Sequence, residues 1–511
     1  MDISWAIAPR GPQRVRMRRP WLPGACPHAV DTGRIRMDSR RSPQPPRWLA
    51  PLIVSFGALT GQLDTAVNIA LPAITTAFAI EIPAIQWLVI CYVLTYASLV
   101  LGCGRLGDIF GHKRVFLTGL LWSALSFYLC GQAPTFGWLL VFRGMQGLGN
   151  ALVVSCAPAL VTLAFPEAER GKALGFYTMC TSIAATLGPL LGGPLLTLWG
   201  WPAVFYGRVP LAVLAALLTA GWVRQPVAVR PGQRFDRLGA VTMTTAIAGL
   251  LLALTQGNRL GWWALPTLGA GSGALGCLGV FLWHTTRCAE PVIDLRLFRH
   301  VGFSVAHIAH ILVNVASFSV LLLVPYYLLN AYHASALLGG VLLALSPLGS
   351  ILASPLGGRL LTRVTPYRLS LAGAALVAMG LYGIGQWQAS SALGWVAGML
   401  LLQGLGQGLF HVATMEYVMG MMPRQQQGVA GSLTMLTRAV GIVAGATLGA
   451  FLLNALQAQY TVLLQATGLP APILAAQAFL LAFQETLRYA AGLAALAVVV
   501  LWGRRFLPVP A

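Results

Sequence analysis

Residues 104–114 read GRLGDIFGHKR and stand between two apolar runs, at residues 84–103 and 115–130. We interpret each run as a helix that crosses a bilayer. Basic side chains collect on the cytoplasmic side of such helices, which accounts for Arg105, Lys113 and Arg114. This rule does not explain the lone acid Asp108 or the regular glycines, which allow helix ends to approach a neighbour closely. Those glycines are Gly104, Gly107 and Gly111. The stretch therefore predicts a specialised turn between two membrane helices.

The composition excludes a soluble globular protein. Of 511 residues, 57% are hydrophobic and only 9% are charged, whereas about 25% charge is usual in soluble domains. The net charge of +20 does not indicate a nucleic-acid partner, because ten of the 33 basic residues precede Trp48 and most others fall in alternate short loops. The eight cysteines are scattered without a Cys-x-x-Cys pair, so we interpret them as small buried hydrophobes and expect no metal site.

Fourteen apolar segments follow one another between residues 49 and 506. The loops after even-numbered segments carry the arginines, which places both termini in the cytoplasm. Residues 1–47 are rich in Arg and Pro and are predicted to be a disordered basic cytoplasmic tail, with Met37 as an alternative start. Residues 457–485 are predicted to form a long external loop.

An internal repeat divides the chain. The sequence QGLG occurs at residues 146–149 and 403–406, and GRL occurs at 104–106 and 358–360. The matching segments are eight apart, so the repeats run parallel, related by an axis along the membrane normal. We expect six-helix halves at 48–223 and 301–506, an inserted helix pair with its loops at 224–300, and a tail at 507–511.

Asp64 and Arg143 are the main candidates for function inside the membrane. Ionisable residues there are usually functional, and a buried carboxylate can exchange a proton because its charged form is costly. Asn68, one helical turn beyond Asp64, is expected to face the same way. Gln146 and Asn150 are expected to share a helix face with Arg143, which is a fixed positive charge. The alternative for Asp64 is a structural acid held by hydrogen bonds. The alternative for Arg143 is a structural anchor.

Three further features have weaker signals. In the fifth segment, Gly188, Gly192 and Gly193 predict a small-residue face, and Pro189 and Pro194 predict bends. Glu416 either takes part in transport or extends to water, with Arg438 as a candidate counter-charge. His307 and His310 are expected to be packed or hydrated.

Four motifs together support a resemblance to a known family: LDTAVNIALP at 63–72, GRLGDIFGHKR at 104–114, RGMQGLGNAL at 143–152 and GPLLGGP at 188–194. In this order, across fourteen predicted helices, they resemble the fourteen-span drug:proton antiporter family (EmrB/QacA type) of the major facilitator superfamily. The resemblance implies an all-α integral membrane protein with the major facilitator fold, in two six-helix halves plus an inserted helix pair.

The resemblance also implies roles for single residues. It assigns proton coupling to Asp64 and Arg143, closure of one face to the 104–114 stretch with Asp108, and antiport direction to the glycines and Pro189 of the fifth segment. Three positions depart from the family pattern. Arg208 replaces a common asparagine, Thr362 replaces an acid in the second copy of the turn, and Glu416 is not a family hallmark. Arg208 and Glu416 leave the charge of the substrate open.

We therefore expect a proton-coupled exporter of small amphipathic compounds in a bacterial cytoplasmic membrane. Export of an endogenous metabolite and proton symport are the alternatives. No enzyme is expected, because His, Asp and Glu show no ligand spacing, and no phosphate-binding Gly-x-x-x-x-Gly-Lys-Ser/Thr loop is present. No cofactor is expected, since the proton gradient supplies the energy. The expected partners are the lipid bilayer, protons and a small-molecule substrate. We expect the protein to function as a monomer. A periplasmic adaptor protein is a further candidate partner that the sequence does not decide.

Overall fold

The computed structural model describes residues 48–80, 82–224, 235–288, 290–332, 336–422, 426–465 and 470–503. Within these ranges the chain has no strand, and fourteen helical spans are long and apolar enough to cross a membrane. The predicted all-α membrane fold is confirmed. The predicted tails at 1–47 and 507–511, and most of the loop around 224–237, lie outside the described residues.

Sixteen α-helices make up most of the described part of the chain. In chain order they are α1 (Leu49–Gln62), α2 (Val67–Ala77), α3 (Ile82–Phe110), α4 (His112–Gly131), α5 (Phe136–Leu163), α6 (Arg170–Trp199), α7 (Trp201–Tyr206), α8 (Val209–Trp222), α9 (Arg237–Leu260), α10 (Leu265–Arg287), α11 (Val301–Asn330), α12 (Ala336–Leu360), α13 (Pro366–Ile384), α14 (Leu393–Met421), α15 (Gln427–Gln465) and α16 (Ala471–Gly503). A 3-10 turn at Leu63–Ala66 joins α1 to α2 within one span, and α7 and α8 form another.

The 104–114 stretch is almost entirely helical. α3 continues to Phe110 and α4 begins at His112, so Gly111 alone makes the turn. Its φ of 98° lies in the left-handed region that favours glycine. Gly104 and Gly107, in contrast, are positions where a side chain would meet neighbouring helices.

The loop conformation predicted for residues 457–485 is wrong for the described part of this range. α15 continues to Gln465 and α16 begins at Ala471, so both helices occupy most of this range. With 39 residues, α15 is about 58 Å long and extends well beyond the roughly 30 Å hydrocarbon core. Tyr460 of α15 donates a hydrogen bond to Glu485 of α16, so the two extensions pack together. The apolar surface that suggested a loop is instead the surface of two helices.

The repeated QGLG motif occupies equivalent places in the two halves. A methyl group on Gly147 of α5 would lie 2.7 Å from the carbonyl oxygen of Tyr92 in α3. A methyl group on Gly404 of α14 would collide with the backbone of Ser346 in α12. The same sequence therefore permits the same close helix crossing in each half.

The halves meet through a second pair of equivalent contacts. A methyl group on Gly104, near the end of α3, would lie 2.6 Å from the carbonyl oxygen of Gly428 at the start of α15. A methyl group on Gly175, near the start of α6, would lie 3.1 Å from Cα of Gly358 near the end of α12. α3 ends and α6 begins at the same face of the bundle. The contact of α3 with α15 and the contact of α6 with α12 are the two seams between the halves, and both close that face. We call it the closed face.

The helix pair α9–α10 packs beside the seam between α3 and α15. The hydroxyl of Thr244 in α9 donates to the carbonyl of Ser98 in α3 at 3.2 Å. Thr447 of α15 donates to the carbonyl of Leu254 in α9 at 3.4 Å. α9 thus touches both halves.

Candidate functional site

The 3-10 turn at Leu63–Ala66 positions Asp64. The carbonyl of Thr60, four residues before Asp64, accepts from Nε (3.3 Å) and Nη2 (3.0 Å) of Arg208. The chain tightens into a 3-10 turn at this point. Gly192 of α6 lies against the turn, since a methyl group there would be 3.0 Å from Cβ of Ala66, and Gly188 would collide with Thr65.

Asp64 forms a bidentate ion pair with Arg143 of α5. Nη1 of Arg143 lies 2.7 Å from Oδ1 of Asp64, and Nη2 lies 2.9 Å from Oδ2. Gln146, one turn along α5, donates to Oδ1 at 2.8 Å and accepts from Nη1 of Arg143 at 2.8 Å. The side chain of Arg143 is fully buried and that of Asp64 is 13% exposed. The sequence placed these three residues in one site, and the structure brings them into direct contact.

A second arginine binds the same carboxylate. Nη1 of Arg208, at the start of α8, lies 2.9 Å from Oδ1 of Asp64, and its side chain is buried. Sequence reasoning noted Arg208 as a departure from a family pattern that bears on the charge of the substrate, and it did not predict the contact with Asp64. The available signal was a charged residue at a position where the family pattern commonly has a neutral one. With both arginines charged, the ionised cluster carries a net charge of +1.

Aromatic rings cover the two guanidinium groups. The guanidinium carbon of Arg143 lies 4.7 Å from the ring centre of Tyr92. The guanidinium carbon of Arg208 lies 4.0 Å from the ring centre of Phe127. Both distances suit cation–π attraction. Asn150 donates to the hydroxyl of Tyr92 at 2.8 Å, so it joins the cluster through the tyrosine and not through Asp64.

Asn68 and Gly193 do not take part in the contacts expected of them. Asn68 is exposed, and its side chain makes no hydrogen bond to the described chain. The 3-10 turn has three residues per turn and brings Asn68 out of line with Asp64. Gly193 has no atom within 4 Å of an added methyl group, so it does not share the packing face of Gly188 and Gly192. Pro189 lies on α6, but its side chain is outside the described part.

Asp108 joins the two halves at the closed face. Its side chain is fully buried and accepts the backbone N–H groups of Gly428 (2.9 Å) and Val429 (3.1 Å) in the first turn of α15. Helix N-termini favour negative charge, because their first N–H groups lack partners within the helix. His112 lies 3.4 Å from the same carboxylate.

The basic residues of the 104–114 stretch have separate positions. Arg105 is buried close to Asp108, Lys113 donates to the carbonyl of Ala220 at 2.9 Å, and Arg114 is exposed. Within the described chain, Asp108 therefore accepts hydrogen bonds from the opposite half and not from the basic residues of its own stretch.

Glu416 lies away from the Asp64 cluster. Among the described residues no ion pair joins Glu416 to Arg438, its expected counter-charge. Its Oε2 is buried and has no hydrogen-bond partner in the described chain.

A cavity lies between the halves. Gln62 of α1 and Tyr177 of α6 line it from one half, and His310, His411 and Arg438 from the other. Its volume is about 20 Å³, room for about one water molecule in this arrangement of the halves. His310 was expected to be packed or hydrated, and it lies at the wall of this cavity.

The helix pair brings together three potential metal ligands that looked scattered in the sequence. The ligand atoms of Asp236, His284 and Cys288 lie within 4.8 Å of one another. Asp236 also caps α9 through the N–H of Gly239 at 2.8 Å and contacts Nε2 of His284 at 2.9 Å. These hydrogen bonds tie the end of α10 to the start of α9.

Comparison with known proteins agrees with this architecture. The family model described as Major Facilitator Superfamily matches residues 53–239 and 306–504. "Multidrug resistance protein Stp" of Mycobacterium tuberculosis (strain CDC 1551 / Oshkosh) is 34% identical over 76% of this chain and 72% of its own length. "Tetracenomycin C resistance and export protein" of Streptomyces glaucescens is 31% identical over 77% of this chain and 73% of its own.

Among solved structures, the human organic anion transporter MFSD10 (TETRAN) shares the fold. Its TM-score is 0.61 at 17% identity, and the match covers 90% of this chain and 100% of that one. The family model covers both six-helix halves and omits residues 240–305, which include most of the helix pair. The chain belongs to the major facilitator superfamily, and it is a multi-pass membrane transporter and not an enzyme.

Proposed function

We propose that this protein is a proton-driven antiporter that exports small amphipathic compounds from a bacterial cell. It lies in the cytoplasmic membrane with both termini inside, works as a monomer and needs no cofactor. The two relatives named for multidrug resistance and for tetracenomycin C resistance and export support the substrate class and the direction.

The observation that carries the proposal is the single carboxylate of Asp64 between Arg143 and Arg208. Ionised Asp64 links the first span to α5 and α8 through charge-assisted hydrogen bonds. A proton on Asp64 removes the negative charge and leaves two buried cations without a counter-charge, which weakens these links. Protonation therefore favours a different arrangement of these helices, as coupled transport requires.

The glycines of α6 offer a route from Asp64 to the seam between the halves. Gly188 and Gly192 pack on the 3-10 turn that carries Asp64, and further along the same helix Gly175 packs on α12. A displacement of the turn would therefore act on a helix that forms the closed face. We assign the closed face to the cytoplasm, because the 104–114 stretch with its basic residues lies there. In this state protons would reach Asp64 from outside the cell.

The test uses purified protein in liposomes that are acidic inside and alkaline outside. Accumulation of fluorescein and of rhodamine 123, two amphipathic dyes of opposite charge, is followed together with the internal pH. We expect the parent to accumulate at least one dye while protons leave. Asp64→Asn, which keeps the size and fixes a neutral side chain, should abolish gradient-driven accumulation and retain dye binding.

Asp294→Asn is the matched control, because it makes the same chemical change at an exposed acid in a loop. It should accumulate dye like the parent. Proton-coupled accumulation at the parental rate in Asp64→Asn would remove Asp64 from the mechanism and leave Glu416 as the next candidate. Accumulation by the parent that is independent of the pH gradient would refute proton coupling itself.

A further inference from the structure

The second half contributes a polar wall to the central cavity. His310 of α11, His411 of α14 and Arg438 of α15 line the space that Tyr177 and Gln62 bound from the other half. The site is distinct from the Asp64 cluster, which the first half builds entirely from its own helices.

Hydrogen-bond directions fix the tautomers of the two histidines. The hydroxyl of Thr437 donates to the carbonyl of Thr434 at 3.0 Å, so its oxygen must accept from Nδ1 of His310, 2.8 Å away. Nε2 of His310 is then an acceptor, and it lies 3.2 Å from Nδ1 of His411, which donates to it. This leaves Nε2 of His411 as an acceptor. That nitrogen is buried and has no partner among the described residues.

Arg438 adds an uncompensated positive charge to the same wall. In the described chain no carboxylate forms an ion pair with it, whereas Arg143 and Arg208 share Asp64. The described lining of the cavity includes no Asp or Glu. A guanidinium group in a partly dehydrated cavity is stabilised by an anion, and its planar donors match a carboxylate.

We propose that this wall is a subsite for an anionic group, a carboxylate or phenolate of the exported compound. The anion pairs with Arg438, and a neighbouring hydroxyl or N–H of the same compound donates to Nε2 of His411. Met415 and Met435 supply adaptable apolar contact to the rest of the molecule. The proposal rests on the proposed transport function and specifies its substrate class.

The test compares two dyes that share a three-ring frame and differ in charge, fluorescein as the anion and rhodamine 123 as the cation. Binding to the full-length protein in detergent is measured by fluorescence anisotropy, without a proton gradient. We expect fluorescein to bind more tightly than rhodamine 123. Arg438→Gln should weaken fluorescein binding about tenfold or more, because a hydrogen-bonded charge is lost, and should not weaken rhodamine 123 binding.

Arg438→Lys keeps the charge and should retain part of the affinity for fluorescein. Arg363→Gln is the matched control, since it removes an exposed charge outside the cavity and should change neither affinity. At His411, Gln can still accept a hydrogen bond and Phe cannot, so His411→Phe should weaken fluorescein binding more than His411→Gln.

Fluorescein binding that does not depend on Arg438, or an equal loss for both dyes in a variant that still elutes as a monodisperse protein, would overturn the subsite. The outcome is separate from proton coupling. Charge-selective binding with no gradient-driven accumulation would uphold the subsite and reject the antiport mechanism. Gradient-driven accumulation of rhodamine 123 alone would uphold the antiport mechanism and reject the subsite.

Discussion

Removal of the charge on Asp108 is expected to open the closed face. Asp108 accepts two backbone N–H groups of α15 from a position 320 residues away in the chain. Asp108→Asn keeps the size of the side chain but retains one acceptor oxygen, and its amide group faces an N–H donor. The change acts on a contact between the halves and leaves the Asp64 cluster untouched.

The expected magnitude follows from these two contacts. Hydrogen bonds to a charged group contribute about 1.5–3 kcal/mol each and a neutral one about 1 kcal/mol. Loss of one charged bond, with weakening of the other, therefore destabilises the closed arrangement by about 3 kcal/mol. This corresponds to roughly a 100-fold change in the equilibrium between the closed and open arrangements. We expect slower transport with substrate binding largely retained.

Distances between spin labels across the closed face measure this equilibrium. Lys172→Cys at the start of α6 and Arg363→Cys beyond α12 place labels on exposed positions of opposite halves. The eight native cysteines are first replaced. The parent should give mainly short distances, and Asp108→Asn should add a longer population.

The control is Glu167→Gln, because Glu167 is an acid near the same face whose side chain is 78% exposed and pairs only weakly with Arg170 at 3.5 Å. It should leave the distances unchanged. If Asp108→Asn also leaves them unchanged, or if both variants shift them equally, Asp108 does not hold the face closed.

Three further predictions concern coupling, packing and orientation. Arg143→Leu leaves Asp64 with a single arginine and should destabilise the protein by about 3 kcal/mol, measured by thermal unfolding in detergent, and abolish proton-coupled transport, whereas Arg143→Lys should keep part of that transport. Gly188→Val should collide with the 3-10 turn and reduce transport, while Gly193→Val, which points into open space, should not; equal effects of the two would contradict the packing. In intact cells a membrane-impermeant maleimide should label Ser390→Cys, in the turn before α14, and spare Lys172→Cys; the reverse pattern would invert the assigned orientation.

Local sequence determined the helices and their order. Hydropathy and length are local properties, so the fourteen spans could be predicted from the sequence, as could the parallel repeat that its glycines mark. The close crossings at Gly147 and Gly404 follow directly from that repeated motif. Helix ends were predicted less well. α15 and α16 remain apolar beyond the length that crosses a bilayer, and the additional residues were interpreted as a loop.

Candidate residues on one helix were placed correctly where the helix is regular. Arg143 and Gln146 share a face of α5 and meet at 2.8 Å, as their spacing predicts. The same reasoning failed for Asn68, because a 3-10 turn interrupts the α-helical period directly after Asp64. The sequence alone offers no sign of that turn, since the tightening accompanies a contact with a distant arginine.

Contacts between distant helices were decided by the tertiary structure. Arg208 reaches Asp64 across 144 residues, Asp108 reaches Gly428 across 320, and His310 meets His411 across 101. None of these pairings follows from periodicity, because periodicity fixes which face of a helix a residue occupies and not which helix lies opposite. The amino-acid sequence determined which charges enter the membrane, and the packing of the two halves decided which of them are paired.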